Sequence, residues 1–111
     1  MDYDREFLTG TVGVLLLTLL SERAMYAYEM VQEAERRSGQ TFQLKEGTVY
    51  PALHHMERAG LLTATWRASE TGRQRKYYSL TAKGRRQAAS KRRQWMSIST
   101  AMRTILGEGR A

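Results

Sequence analysis

The chain has no cysteine and a single proline among its 111 residues. Without thiols, neither a disulfide framework nor thiolate chemistry nor a cysteine-based zinc site is available, and a reducing cytoplasm suits such a chain. Long apolar runs are missing too. The longest, "VGVLLLTLL" from Val12 to Leu20, spans nine residues, far below the ~20 that cross a bilayer. It also lies too far from a basic leader or a cleavage signature to read as a signal peptide. The expectation is a soluble, cytoplasmic protein with no membrane partner. Catalytic signatures are equally scarce: there is no GxSxG, no glycine-rich phosphate loop and no paired carboxylates at a working spacing. No enzyme and no cofactor are expected. His54 and His55 are neighbours, and adjacent helical residues point about 100° apart, so they cannot share an ion. With no carboxylate at ligand spacing beside them, no metal site is expected.

Acidic residues are absent from one whole segment. Between Thr71 and Gly107 there are ten Lys or Arg and no Asp or Glu, within a chain of 18 basic and 11 acidic residues and net charge +7. Such a run is either a solvated face or a surface for a polyanion. Composition alone leaves both open.

What is present is a regular alternation of patterns in a chain that is 41% apolar, enough for one modest core. A first helix is predicted from about Phe7 to Leu20, with Asp2, Asp4 and Glu6 near its positive end. Leu8, Val12, Leu15, Leu16 and Leu19 form one stripe, while Val14 and Leu17 project from the other side and call for cover by a subunit partner. "AMYAYEMVQEAERRSG" predicts a second helix, with Ala27, Met30, Val31 and Ala34 on one face, Glu29, Glu33 and Arg37 on the outer one, and Gly39 as terminator. In "EGTVYPALHHMERAGLL" a third helix is predicted to start near Gly47 or Thr48, which puts Pro51 in the first turn, where its missing N–H costs nothing. Val49, Leu53 and Met56 give that helix an apolar face, Thr48, His54, His55 and Arg58 a polar one, and Gly60 its C-cap. "LLTATW" and "RKYYSLT" read as two strands of a hairpin turning near Gly72. Thr81 then caps a last helix from Ala82 to about Leu106, on which Ala88, Trp95 and Met102, interleaved with Ile98 and Ile105, recur in a and d fashion.

This order predicts a mainly α fold with a small β-hairpin: a winged helix-turn-helix over residues 1–81, followed at 82–111 by a C-terminal dimerisation helix and tail. The third helix would then enter the major groove, where a carboxylate would meet phosphates. Two stretches, "LKEGTVYPALHHMERAGLL" and "GRQRKYYSLTAKGRR", closely resemble the PadR family of transcriptional regulators. The similarity runs from the leucine-rich first helix to the last one. The single C-terminal helix resembles the small-regulator branch. Ala27 departs from the pattern, since relatives commonly carry glycine there. The resemblance implies a homodimeric regulator, generally a repressor, that leaves DNA when a planar or hydrophobic small molecule binds.

Read on their own, Thr48, Tyr50 and His54 are placed to meet base edges, with core packing as the other role open to Tyr50. Lys45, just before the helix, suits a phosphate contact. Arg73, Arg75 and Lys76 flank the hairpin turn and suit phosphate or minor-groove contact. Trp95 serves either as core filler or as the wall of an effector pocket between the subunits of a dimer, shared with Val14, Leu17, Ala88 and Met102. The partners expected are double-stranded DNA, a second copy of the chain and a planar hydrophobic effector, in a sequence-specific, ligand-responsive repressor. Two other functions fit parts of the pattern: a protein-interaction scaffold built on a winged helix, and a non-specific architectural DNA binder.

Overall fold

The computed structural model describes residues 5–107, and of residues 5–9 only the helical backbone. The expectations on Asp2, Asp4, Glu6 and Leu8 therefore lie outside the described residues. The order is α1 (Arg5–Glu22), β1 (Met25–Tyr26), α2 (Ala27–Arg37), α3 (Glu46–Arg58), β2 (Leu62–Ala68), β3 (Gln74–Leu80) and α4 (Ala82–Ile105). The fold is mainly α with a small antiparallel sheet whose strand order is β1-β3-β2. Among the described residues no helix is long and apolar enough to cross a membrane.

The predicted second helix is shorter than its pattern suggested, because Met25 and Tyr26 leave it to pair with Tyr78 and Tyr77 of β3. The helix starts where it does because Glu29 Oε1 accepts the Tyr26 N–H at 3.2 Å and closes a capping box. Two residues are too few to show a strand's period of two.

Pro51 is not in the first turn of α3. Lys45 is extended, with φ −107° and ψ 152°, and its carbonyl already accepts from Thr48 and Val49 at 2.9 and 3.0 Å. The helix thus begins at Glu46, which makes Pro51 the sixth helical residue. There the ring removes the amide that would have bonded the Gly47 carbonyl. The rest of the helix follows the pattern: Val49, Leu53 and Met56 are buried and Thr48, His54, His55 and Arg58 exposed. The Gly60 backbone, at φ 79°, turns the chain just beyond the Ala59 C-cap.

One core gathers Leu16, Met25, Met30, Val49, Leu53 and Tyr78, all essentially inaccessible. Leu17, predicted to need cover from a partner, is buried in this same core at 3% exposure, as α4 crosses α1 and supplies Gly84 and Ala88. Val14 on the same side is only half-buried. Beyond Ala88 the apolar face of α4 emerges: Ile98 is 57% and Ile105 77% exposed.

The junction between wing and α4 is tight. Thr81 Oγ1 donates to the Gly60 carbonyl at 2.7 Å and accepts from Gly84 N–H at 3.0 Å, while Thr81 N–H donates to Leu61 O. Any Cβ at position 84 would overlap the Leu61 carbonyl oxygen.

Candidate nucleic-acid interface

The start of α3, the N-terminus of α2 and the wing enclose an open groove of about 540 Å³. From α3 it takes Glu46, Tyr50 and His54, which recur every four residues along a row beside the buried stripe of Val49, Leu53 and Met56. Tyr26, Ala27 and Tyr28 contribute from the turn into α2. The wing contributes Trp66 and the run Arg73 to Lys76, brought together because Trp66 pairs with Lys76 across β2 and β3. Five of the seven predicted DNA-binding residues therefore converge: Tyr50, His54, Arg73, Arg75 and Lys76. Tyr50 is 43% exposed, so it is not core filler. Thr48 and Lys45 do not line this groove. Both are exposed at the amino end of α3, and Lys45 borders an adjoining hollow with Tyr28 and Tyr50.

The cations differ in what already holds them. Arg73 is exposed at the hairpin turn, where its carbonyl accepts the Ser69 N–H at 2.8 Å and Gly72 adopts φ 86°. Lys76 Nζ lies 3.6 Å from Oε1 of Glu57 and 5.3 Å from the centroid of the Tyr78 ring. Arg75 is half-buried, with its guanidinium carbon 4.6 Å above the ring of Tyr26. Glu46 and Glu57 are the carboxylates that α3 brings to this side. The groove thus gathers three cations, Arg73, Arg75 and Lys76, against the one lining carboxylate among the described residues, that of Glu46, and its three exposed aromatics, Tyr28, Tyr50 and Trp66, offer flat apolar faces beside them. Tyr26, Tyr28 and Trp66 escaped sequence reasoning. The alternation of Leu62, Ala64 and Trp66 marked a strand, yet could not say that its tryptophan faces outward at the free end.

The predicted effector residues separate. Val14 and Trp95 do meet, on the wall of a second cavity of about 310 Å³ between α1, α2 and α4 that also includes Leu15, Phe42 and Arg37. Leu17 and Ala88 are instead part of the chain's own core, because α4 packs on that side of α1, and Met102 stands exposed further along α4. At the rim, Arg37 makes two hydrogen bonds of 2.7 Å to the Glu22 carboxylate and one of 2.8 Å to Glu33. The Arg37 guanidinium holds the Glu22 carboxyl below its ordinary range.

Residues 16–90 match the family described as the Transcriptional regulator PadR-like family. The transcriptional regulator Rv3488 of Mycobacterium tuberculosis is 30% identical over 103 residues, which cover 93% of this chain and 90% of that one. Among solved structures, a PadR family transcription regulator from hypervirulent Clostridium difficile is 34% identical with a TM-score of 0.72, covering 86% of this chain and 98% of its own. A PadR-like transcriptional regulator of Bacillus cereus is 29% identical with a TM-score of 0.80, covering 92% and 97%.

Proposed function

Since the chain belongs to the PadR-like family of transcriptional regulators, which act by binding and not by catalysis, we propose that it is a homodimeric repressor. In this reading it holds a pseudo-palindromic operator through α3 and the wing, and a planar hydrophobic effector releases it. The observation that carries the reading is the groove: Tyr50 and His54 of α3 and Arg73, Arg75 and Lys76 of the wing line one surface. The amino end of α3 would read base edges, with Thr48 exposed for that purpose and Lys45 on a neighbouring phosphate. The wing would follow the backbone beside it.

Dimerisation is supported by the α4 surface beyond Ala88, where Trp95, Met96, Ile98, Met102, Ile105 and Leu106 are all exposed large apolar side chains. Monomeric soluble proteins rarely leave such a stripe uncovered. On this view residues 82–111 serve as the dimerisation helix and tail. Effector response is supported by the cavity beside Trp95 and Val14, whose lining is largely apolar and whose volume is of the order that a small ligand fills. A ligand there would touch both α1 and α4, and could shift DNA binding by its preference for one arrangement of those helices.

Selection of binding sites from random duplexes tests the reading. An enriched motif bound far more tightly than random DNA supports it. Equal affinity for both would make the protein an architectural binder, and no duplex binding at any salt concentration would leave the interaction scaffold. For the effector, titration of planar hydrophobic compounds should quench tryptophan fluorescence in the wild type, and Trp95→Ala, which keeps Trp66, should lose most of the signal.

A further inference from the structure

Four side chains of the sheet, Arg67, Arg75, Tyr77 and Tyr26, form a unit of which only Arg75 and Tyr26 line the groove. On β3, Arg75 and Tyr77 alternate with buried Tyr78 and so share the face opposite to the core. Across the sheet Arg75 is paired directly with Arg67 of β2, and Tyr77 with Tyr26 of β1. Two arginines thus occupy directly opposite register positions on neighbouring strands, where like charges weaken a sheet. Among the described residues neither has a carboxylate partner, although Arg23, Arg36, Arg37 and Lys76 all do.

Aromatic rings take the place of the missing acids. Arg67 lies 3.7 Å above the centroid of Tyr77 and Arg75 lies 4.6 Å above that of Tyr26. The two rings meet edge to face, with centroids 5.3 Å apart and planes at 76°. The tyrosines therefore back each other, and each carries an arginine. A ring face attracts the cation without using its N–H donors, which leaves the guanidinium fork unspent. Arg75 Nε is closed off from solvent with no acceptor, so only its terminal nitrogens remain for a ligand. Two neighbouring, acid-free guanidiniums held by stacking are suited to phosphate oxygens, which accept paired hydrogen bonds from arginine's fork.

We propose that Arg67 and Arg75, each mounted on a tyrosine, form a clamp for the phosphate backbone of duplex DNA at the edge of the groove, with Arg75 on its wall and Arg67 on the adjoining strand. This rests on the DNA-binding reading above and extends it to Arg67, Tyr77 and Tyr26. Arg75 ties the clamp to the groove, since it lines that surface as well. In this arrangement a duplex lying along α3 and Arg73 would pass Arg75 and reach Arg67 on the neighbouring strand. A clamp held in place before DNA arrives loses less side-chain freedom on binding than a free arginine does.

The test measures affinity for a selected operator and for a random duplex of equal length over a salt series, with thermal melting of each variant. Arg67→Ala should lower the slope of log affinity against log salt by about 0.9 per bound protomer, the loss of one phosphate contact, on both duplexes alike. Arg67→Lys should keep the slope, because the charge remains. Tyr77→Leu should also keep it while weakening binding several-fold, because the charge is present but no longer held. Arg67→Ala with wild-type slope and affinity overturns the clamp, and if Arg73→Ala still weakens binding the groove reading stands. A lower melting temperature with an unchanged slope makes the stack purely structural and likewise overturns the clamp. A wild type that binds neither duplex at low salt overturns clamp and groove together.

Discussion

Lys76 reaches from β3 to the last turn of α3, where its Nζ lies 3.6 Å from Oε1 of Glu57. The pair is partly exposed, so it contributes at most ~1 kcal/mol to stability, but it links the wing to the helix proposed to read DNA. It also occupies part of the charge that Lys76 could offer a phosphate. Lys76→Ala should therefore weaken duplex binding less than Arg73→Ala. Glu57→Gln should strengthen binding to all sequences by a factor of about 2 to 5, the equivalent of up to ~1 kcal/mol. Quantitative titration of the three variants on one duplex checks the order.

Gly84 sits against the Leu61 carbonyl with no room for a side chain, and Thr81 caps the same helix start. Gly84→Ala should destabilise the fold by about 1–3 kcal/mol, as overpacking against immovable backbone does. Thr81→Ala should cost about 1 kcal/mol through the lost cap, and more if the Gly60 carbonyl is left without a donor. Chemical unfolding of each variant measures both.

Acid stability should depend on Arg37. That guanidinium holds the Glu22 carboxyl below its ordinary 4.5, and Arg36 and then Arg37 do the same for Glu33. Carboxylates that release their protons more readily in the folded state stabilise it above about pH 4.5, and that contribution fades as pH falls through their lowered folded values. Arg37→Ala should flatten this acid limb, with only a small change at neutral pH because the Arg37–Glu22 pair lies at the surface and is screened by solvent. Urea midpoints from about pH 3 to about pH 7 compare the two curves. An acid limb as steep as in the wild type would place the sensitivity elsewhere.

The α4 stripe should be the subunit interface. Ile98→Glu combined with Met102→Glu places charge on exposed apolar positions, so the fold should survive and the dimer should not. Sedimentation of this variant should give monomers with wild-type melting of the winged domain. A persisting dimer would locate the contact on another face.

The motifs of the sequence already contained much of this architecture. The 3.6-residue spacing of Val49, Leu53 and Met56 marked α3 because burial on one side dictates that spacing, and Thr81 announced α4 because a hydroxyl before a helix satisfies its free amides. The run from Arg73 to Lys76 was legible as a charged wing for the same reason that strands flank a turn. Three features were not. The strand Met25–Tyr26 is defined by its partner β3 and has no periodicity of its own. Leu17 and Ala88 looked like a surface seam because the angle at which α4 crosses α1 is a tertiary property. The ladder of Arg67, Tyr77, Tyr26 and Arg75 joins three strands, so no spacing along the chain shows it.

Hydroxyl-radical footprinting on a selected operator tests the central claim most directly. A dimer that places two copies of α3 in the major groove should protect two half-sites related by a two-fold axis, with centres about 10 bp or a multiple of that apart. Thr48→Ala should blur the half-site pattern, and Arg73→Ala should weaken protection at every position without moving it. Protection of a single unpaired patch, or uniform protection that is the same on random duplex, would contradict a dimeric, sequence-specific regulator.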